Sequence, residues 1–257
     1  IAAFLDGGGK AMVMVDRVTI DRGRLQARPN RHNFADFVNR YGVIVDDNVL
    51  FDIGSNETIT FSTPGGNIAV EYPYWMRVTS VDAKVAGEIP SIVMPWASSV
   101  AFDTEFVERV DMVPLLQTSE LAAVDYNYRE NPDVSPNSPA LLDVTEGDLV
   151  PNFVGVAVTG AATQAGSGGE FRLIVTGDSD WLTDVVVSGA SENLAAVLNL
   201  VDWLAQEDAL STIRSKIITS RELLFTHRDV VQYSNIAGVP LFFVVIGLFR
   251  FLRRCGV

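Results

Sequence analysis

The sequence predicts an α/β domain followed by a single membrane-spanning helix, and three observations carry that expectation. Short apolar runs recur through the first 220 residues, stretches with helical spacing stand between several of them, and Val230 to Phe249 passes 20 positions without a charge. Apolar runs bounded by turn residues read as buried strands, and strands followed by helices favour a largely parallel sheet covered by helices. The organisation expected is an α/β domain over residues 1–220, a juxtamembrane linker over 221–229, a transmembrane helix over 230–249 and a basic tail over 250–257.

Lys10 to Val15 (KAMVMV), following the Gly7-Gly8-Gly9 turn, is the first predicted strand. From Asn33 to Tyr41, residues Phe34, Phe37, Val38 and Tyr41 fall at i, i+3, i+4 and i+7, one face of a helix, and Gly42 stops it. VIVDDNVLFD then supplies a short strand or loop leading to Asp52. Between Gly54 and Arg77, ETITFS and a Pro/Gly-rich connection to EYPYWMRV read as an exposed β excursion. Three further strands are SIVMPW (Ser91 to Trp96), DMVPLLQT (Asp111 to Thr118) and VGVAVTG (Val154 to Gly160). Tyr128 to Asp148, acidic and interrupted by Pro132, Pro136 and Pro139, is a predicted loop. The clearest strand is FRLIVTG (Phe171 to Gly177), separated from the one before it by the loop GAATQAGSGGE. After it, Leu194, Val197, Leu198, Val201 and Leu204 space the apolar face of a packing helix over Asn193 to Leu204.

The final stretch has the length of a span, because a hydrocarbon core of roughly 30 Å needs about 20 apolar helical residues. Pro240, Phe242 and Phe243 lie in its most apolar part, and Arg250, Arg253 and Arg254 follow it as a basic stop. Polar and aromatic residues (Gln232, Tyr233, Ser234, Asn235) occupy its start, where an interfacial belt is expected. Near the helix the arginine cluster lies on the C-terminal side, which favours a cytoplasmic C-terminus and an extracytoplasmic domain, on the cell surface or in a periplasm. Four basic residues within the preceding 20 (Arg214, Lys216, Arg221, Arg228) dilute that asymmetry.

Charge and cysteine usage narrow the function classes. The whole chain carries 19 basic and 32 acidic residues; setting aside the three tail arginines leaves 16 against 32, a net of −16 before Arg250. Such a domain is poorly suited to nucleic acid or to an anionic membrane face. Cys255, in the tail, is the single cysteine, so neither a disulfide framework nor a CxxC site is available. No G-x-S-x-G elbow occurs, and the Gly7-Gly8-Gly9-Lys10 run precedes a strand instead of opening a helix, so a phosphate loop is not indicated. The N-terminal residues carry no signal peptide, and a segment is expected to precede them in a longer polypeptide.

The turn GDSD, at the C-terminal end of the Phe171 to Gly177 strand, is where open α/β sheets place ligands. Asp178, Ser179 and Asp180 are therefore candidates for a ligand or partner edge. Asp178, Asp180 and Asp184 are weak candidates for a divalent cation held through oxygens. The same residue types also serve a βα turn by capping and bonding to its own backbone. His32 reads as a helix-entrance residue. Tyr72, Tyr74, Trp75 and Trp96 offer either a sugar or peptide platform or ordinary core packing.

Together, GGKAMVMVD, EYPYWMRV, IVMPWASSV, VPLLQTSE, RLIVTGDSDWL, NLAAVLNLVDWLAQED and STIRSK, followed by the terminal span and arginines, resemble the GldG-like family. These are auxiliary or substrate-binding components of ABC-type transport systems, named for a gliding-motility protein. The block from Arg172 to Lys216 carries most of the likeness, with Trp181 standing where phenylalanine is commoner. The resemblance implies a flavodoxin-like or class I glutamine-amidotransferase-like three-layer fold without a catalytic cysteine. It also implies an extracytoplasmic domain working beside an ABC permease and its ATPase, and the family offers no established catalytic residues to carry over; no cofactor is expected. The function expected is non-catalytic docking or ligand binding, the small-molecule ligand being unspecified. A membrane-tethered amidotransferase-like or metal-dependent hydrolase using Asp178 and Asp180, and a carbohydrate- or peptide-binding module using Tyr72 to Trp75, are the alternatives.

Overall fold

The computed structural model describes residues 1–205, apart from 64, 88–90, 104, 107–108 and 164–168, together with residue 250. The chain divides into units Ile1–Ile217 and Ile218–Val257, and the elements below belong to the first. It opens with α1 (Ala2–Asp6), β1 (Lys10–Met14), β2 (Val18–Asp21), β3 (Gln26–Pro29), α2 (Phe34–Asn39), β4 (Val43–Val45) and β5 (Val49–Asp52). A long hairpin of β6 (Asn56–Thr63) and β7 (Gly66–Ser80) follows, then α3 (Ala83–Ala86), β8 (Ile92–Pro95), β9 (Val100–Phe102), β10 (Val110–Gln117) and β11 (Ala122–Asp125). The chain continues through α4 (Pro139–Asp143), β12 (Phe153–Ala161), β13 (Glu170–Thr176), α5 (Asp184–Gly189) and α6 (Ser191–Leu204).

The main sheet has seven strands in the order β1-β13-β12-β10-β7-β6, with β8 also paired to β7. Only β1 and β13 run parallel, in the register Lys10↔Arg172 to Met14↔Thr176; every other described ladder is antiparallel. The expected largely parallel sheet is thus corrected to a mixed, mainly antiparallel one. The reason lies in the connections. A parallel crossover needs a dozen or more residues, usually with a helix, whereas β6 ends at Thr63 and β7 begins at Gly66, and β12 ends at Ala161 and β13 begins at Glu170, spacings too short for one. A flavodoxin-like sheet follows the order 2-1-3-4-5 with parallel strands, which these strands do not follow.

Both faces of the sheet are nevertheless covered, which explains why its strands read as continuous apolar runs. Along β13, Ile174 faces a core with Leu116, Trp181, Ala196, Leu200 and Trp203, so α6 lies over that side. Leu173 and Val175 face the opposite core with Val15, Val38, Tyr41, Val43 and Val100, beneath α2 and the β4–β9 ladder. A third core gathers the β2–β3 hairpin and β5 around Phe51, Tyr72, Tyr74, Trp96 and Tyr128. The Tyr128 to Asp148 segment, predicted as loop, contributes Tyr128, Val134 and Ser138 to buried positions and forms α4, so its prolines mark turns within packed structure.

α6 forms where the helical spacing places it, and of the expected face Leu204 is buried and Val197 packs against the core, but the helix is rotated so that the rest of that face turns outward. Leu194, Leu198 and Val201 are exposed, while Asn193, Asn199, Leu200 and Trp203 are buried. Asn193 decides the rotation: its side chain accepts from the Val93 N–H at 2.9 Å and donates to the carbonyls of Val93 and Trp181 at 2.7 and 2.8 Å. These bonds satisfy backbone groups that would otherwise be buried unpaired, an effect that outweighs moving a leucine.

Among the described residues no helix is long and apolar enough to cross a membrane. The predicted span over 230–249, with Pro240, Phe242 and Phe243, lies outside the described residues, as do the linker, Arg253, Arg254, Cys255 and the STIRSK stretch.

Candidate functional site

The parallel pairing of β1 with β13 brings two strand ends together. The Val15 N–H donates to the Thr176 carbonyl at 2.9 Å, so Asp16 emerges beside the turn Gly177 to Trp181. Asp16 accepts from the Ser179 N–H and from the Ser179 hydroxyl, both at 2.6 Å. Asp178 is turned inward and accepts from the backbone N–H groups of Asp180 (2.9 Å) and Trp181 (3.0 Å). The Thr176 hydroxyl closes the turn on the Asp178 carbonyl at 2.9 Å. Asp180 points toward the β2–β3 hairpin, where the Arg22 guanidinium donates to it at 2.8 Å and lies over the Trp96 ring at 5.7 Å.

Gly177 is required by a close approach. The Ser98 N–H donates to its carbonyl at 2.8 Å, and a Cβ there would lie 2.0 Å from the Ser98 carbonyl oxygen. Ser98 and Ser99 are in turn bound to the β4–β5 turn: Ser98 donates to the Asn48 carbonyl at 2.7 Å, Asn48 donates to the Ser99 hydroxyl at 2.8 Å, and Ser99 donates to Asp46 at 2.7 Å. Trp96 starts this loop at φ 52°, a left-handed conformation uncommon for a bulky residue. Four chain segments thus meet at one edge of the sheet, after β1, β4, β8 and β13.

Burial pushes the Asp178 carboxyl well above the usual carboxylate range, and the charges of Asp16 and Asp180 push it further. Asp180 is raised by burial as well, against the lowering pull of Arg22. Both oxygens of Asp178 are occupied by their own turn. Asp184 instead opens α5. Among the described residues no group of three or more His, Cys, Asp or Glu is arranged to hold a metal ion.

A family model described as ABC-type uncharacterized transport system matches residues 1–201. The chain belongs to that family. Neither the curated proteins nor the solved structures yield a match to it. In this auxiliary component of an ABC-type transport system, the matched region contains every residue of the four-segment edge.

The aromatic residues of this auxiliary component do not form a surface platform. Tyr72, Tyr74 and Trp96 are buried, and Trp75 is half-buried with its ring 5.6 Å from that of Trp96. Tyr72 donates to the Val134 carbonyl at 2.6 Å and accepts from Trp96 Nε1 at 3.0 Å, while Tyr74 and Ser138 share a hydrogen bond at 2.9 Å. Tyr72 and Tyr74, alternating along β7, and Trp96 after β8 enter the third core with Trp75 packed partly against it, which counts against the carbohydrate- or peptide-platform alternative. His32 is a helix-entrance residue: its Nε2–H donates to the Asp16 carbonyl at 2.7 Å and its Nδ1 accepts from the Phe34 N–H at 3.2 Å.

Sequence reasoning located Asp178 to Asp180 but missed Asp16, Gly177 and the Asn48–Ser99 clasp. A signal for Asp16 was present, since VMVD ends its strand as IVTGD ends the other. The pairing that makes the two neighbours spans more than 160 residues and leaves no local trace.

Proposed function

We propose that this chain is a non-catalytic, membrane-anchored auxiliary component of a GldG-like ABC-type system, acting outside the membrane by docking or ligand binding beside an ABC permease while the cytoplasmic ATPase supplies the work. The observation that carries the reading is the family match over residues 1–201. The site geometry agrees with it, because Asp178, Ser179 and Asp180 spend their polar groups on shaping a rigid edge. That edge is the part offered to a partner or ligand. Residues 230–249 serve as the anchor, with Pro240, Phe242 and Phe243 inside the bilayer and Arg250, Arg253 and Arg254 at the cytoplasmic side.

The test is affinity purification of the full-length protein from native membranes in mild detergent, with identification of what accompanies it. Recovery of a permease together with its ATPase is the expected result. Recovery of the protein alone, under conditions in which a known permease–ATPase pair stays intact, sinks the reading.

A further inference from the structure

Beside the four-segment edge lies a pocket of about 280 Å³ whose character is opposite to that of the chain as a whole. The protein carries a net charge of −13, yet this pocket is lined by Arg17, Arg31 and Arg129 with Asp47 as its single carboxylate. Arg17 follows directly from Asp16 at the end of β1, Arg31 comes from the connection between β3 and α2, and Asp47 belongs to the β4–β5 turn. Arg129 arrives from the segment after β11. Elements far apart in sequence thus converge three guanidinium groups on one concavity.

Their charges are only partly answered. Asp47 pairs with Arg129 and, at 3.9 Å, with Arg17, and it also accepts from the Tyr128 hydroxyl. One carboxylate therefore serves two guanidinium groups and a phenol. The Arg17 Nε–H is buried and lacks a hydrogen-bond partner among the described residues. Arg31, exposed, pairs with no carboxylate among the described residues. A buried, unmatched charged donor is costly, and the planar fork of arginine suits the paired oxygens of a carboxylate or phosphate. Arg129 is held for the purpose from both sides, by Asp47 and by the Tyr128 ring 6.0 Å away.

We infer that the Arg17–Arg31–Arg129 pocket is a binding site for a small ligand bearing an oxyanion, phosphate or carboxylate, adjacent to the Asp16–Ser179 edge. The inference gives a ligand class to the ligand-binding half of the proposed function and rests on that reading only for its biological role. The volume, about 280 Å³, falls just below the roughly 300–1,000 Å³ of most small-molecule sites, so the ligand is compact. Asp47 orients the arginines when the pocket is empty of ligand and competes with the anion when it binds.

The experiment is calorimetric titration of the full chain in neutral detergent at low ionic strength, using inorganic pyrophosphate in one arm and citrate in the other. Chloride at matched ionic strength is the control. Saturable binding in either arm is expected, and the arm that saturates more tightly distinguishes a phosphate from a carboxylate ligand. Arg31→Gln and Arg129→Gln should each weaken it about tenfold, the loss of one charge-assisted contact. Asp47→Asn should tighten it by removing the competitor, a result a merely structural role for the cluster would not give. No saturation by either anion, or binding that is indifferent to both arginine substitutions, overturns the inference. Because Arg31 is exposed, its substitution leaves a folded protein to measure. The permease co-purification is a separate readout, so the two proposals fail separately.

Discussion

Asp178 shows how far a residue's role depends on its surroundings. Read in isolation it belongs to an acidic turn suited to a cation; folded, it is a buried acceptor for two amides with a raised affinity for its proton. Asp125 is raised by burial too, and Asp180 with it, whereas exposed Asp148 is lowered by its bonds to Thr145. The three raised groups bind protons more strongly folded than unfolded. Their contribution is fully present below an unfolded-state carboxylate value of about 3.9 and is lost as pH rises through their folded-state values. Thermal unfolding followed from about pH 4 to pH 8 should therefore show this contribution falling with pH, and Asp178→Asn should flatten that slope whatever it does to absolute stability. An unchanged slope would mean Asp178 titrates normally. Gly177→Ala tests the close approach to Ser98: a Cβ has no room against backbone, and a loss of about 1–3 kcal/mol, the usual cost of overpacking, is expected in chemical denaturation.

At the scale of elements, α6 carries the sharpest contrast between pattern and packing. The apolar spacing picks out Leu194, Val197, Leu198, Val201 and Leu204; Leu204 is buried and Val197 packs against the core, but Leu194, Leu198 and Val201 are exposed, and Leu200 and Trp203 are buried with Asn193 as the locking residue. Leu200→Ala should cost about 2–5 kcal/mol, as deletions of buried leucine do. Leu198→Ala, on the exposed side, should stay within about 0.5 kcal/mol. Equal effects in urea denaturation would show that the helix packs as its hydrophobic spacing suggests. Five of the thirteen described strands, by contrast, were legible to their ends: β1, β8, β10, β12 and β13 fall within a residue or two of the apolar runs. The short β2–β3 hairpin, β9 and β11 were not; β9 and β11 are three and four residues long and owe their form to ladders with distant partners, Val45↔Val100 and Asp52↔Ala122, while β2 and β3 are four-residue strands laddered with each other.

For the whole molecule, the proposed membrane anchor and its orientation are what experiment must test. The lone Cys255 in the predicted basic tail is a natural topology probe. With the tail cytoplasmic, a membrane-impermeant maleimide should label the full-length protein only after the cells are permeabilised. Labelling in intact cells would reverse the proposed orientation. Membranes washed in alkaline carbonate should retain the protein, since an integral helix resists that extraction; release into the supernatant would count against residues 230–249 as an anchor.

By itself the sequence determined the presence of apolar strands, the helix near residue 200, the lack of a nucleophile motif and the position of the GDSD turn. All of these follow from local spacing, glycine placement and residue type. Tertiary structure alone decided that the sheet is mainly antiparallel, that α6 buries Asn193 while Leu194 and Leu198 face outward, and that Asp16 and Asp178 stand side by side. It also decided that scattered arginines share one pocket. Strand direction, helix rotation and charge clustering depend on contacts between residues distant along the chain, and such contacts have no period for a local pattern to register.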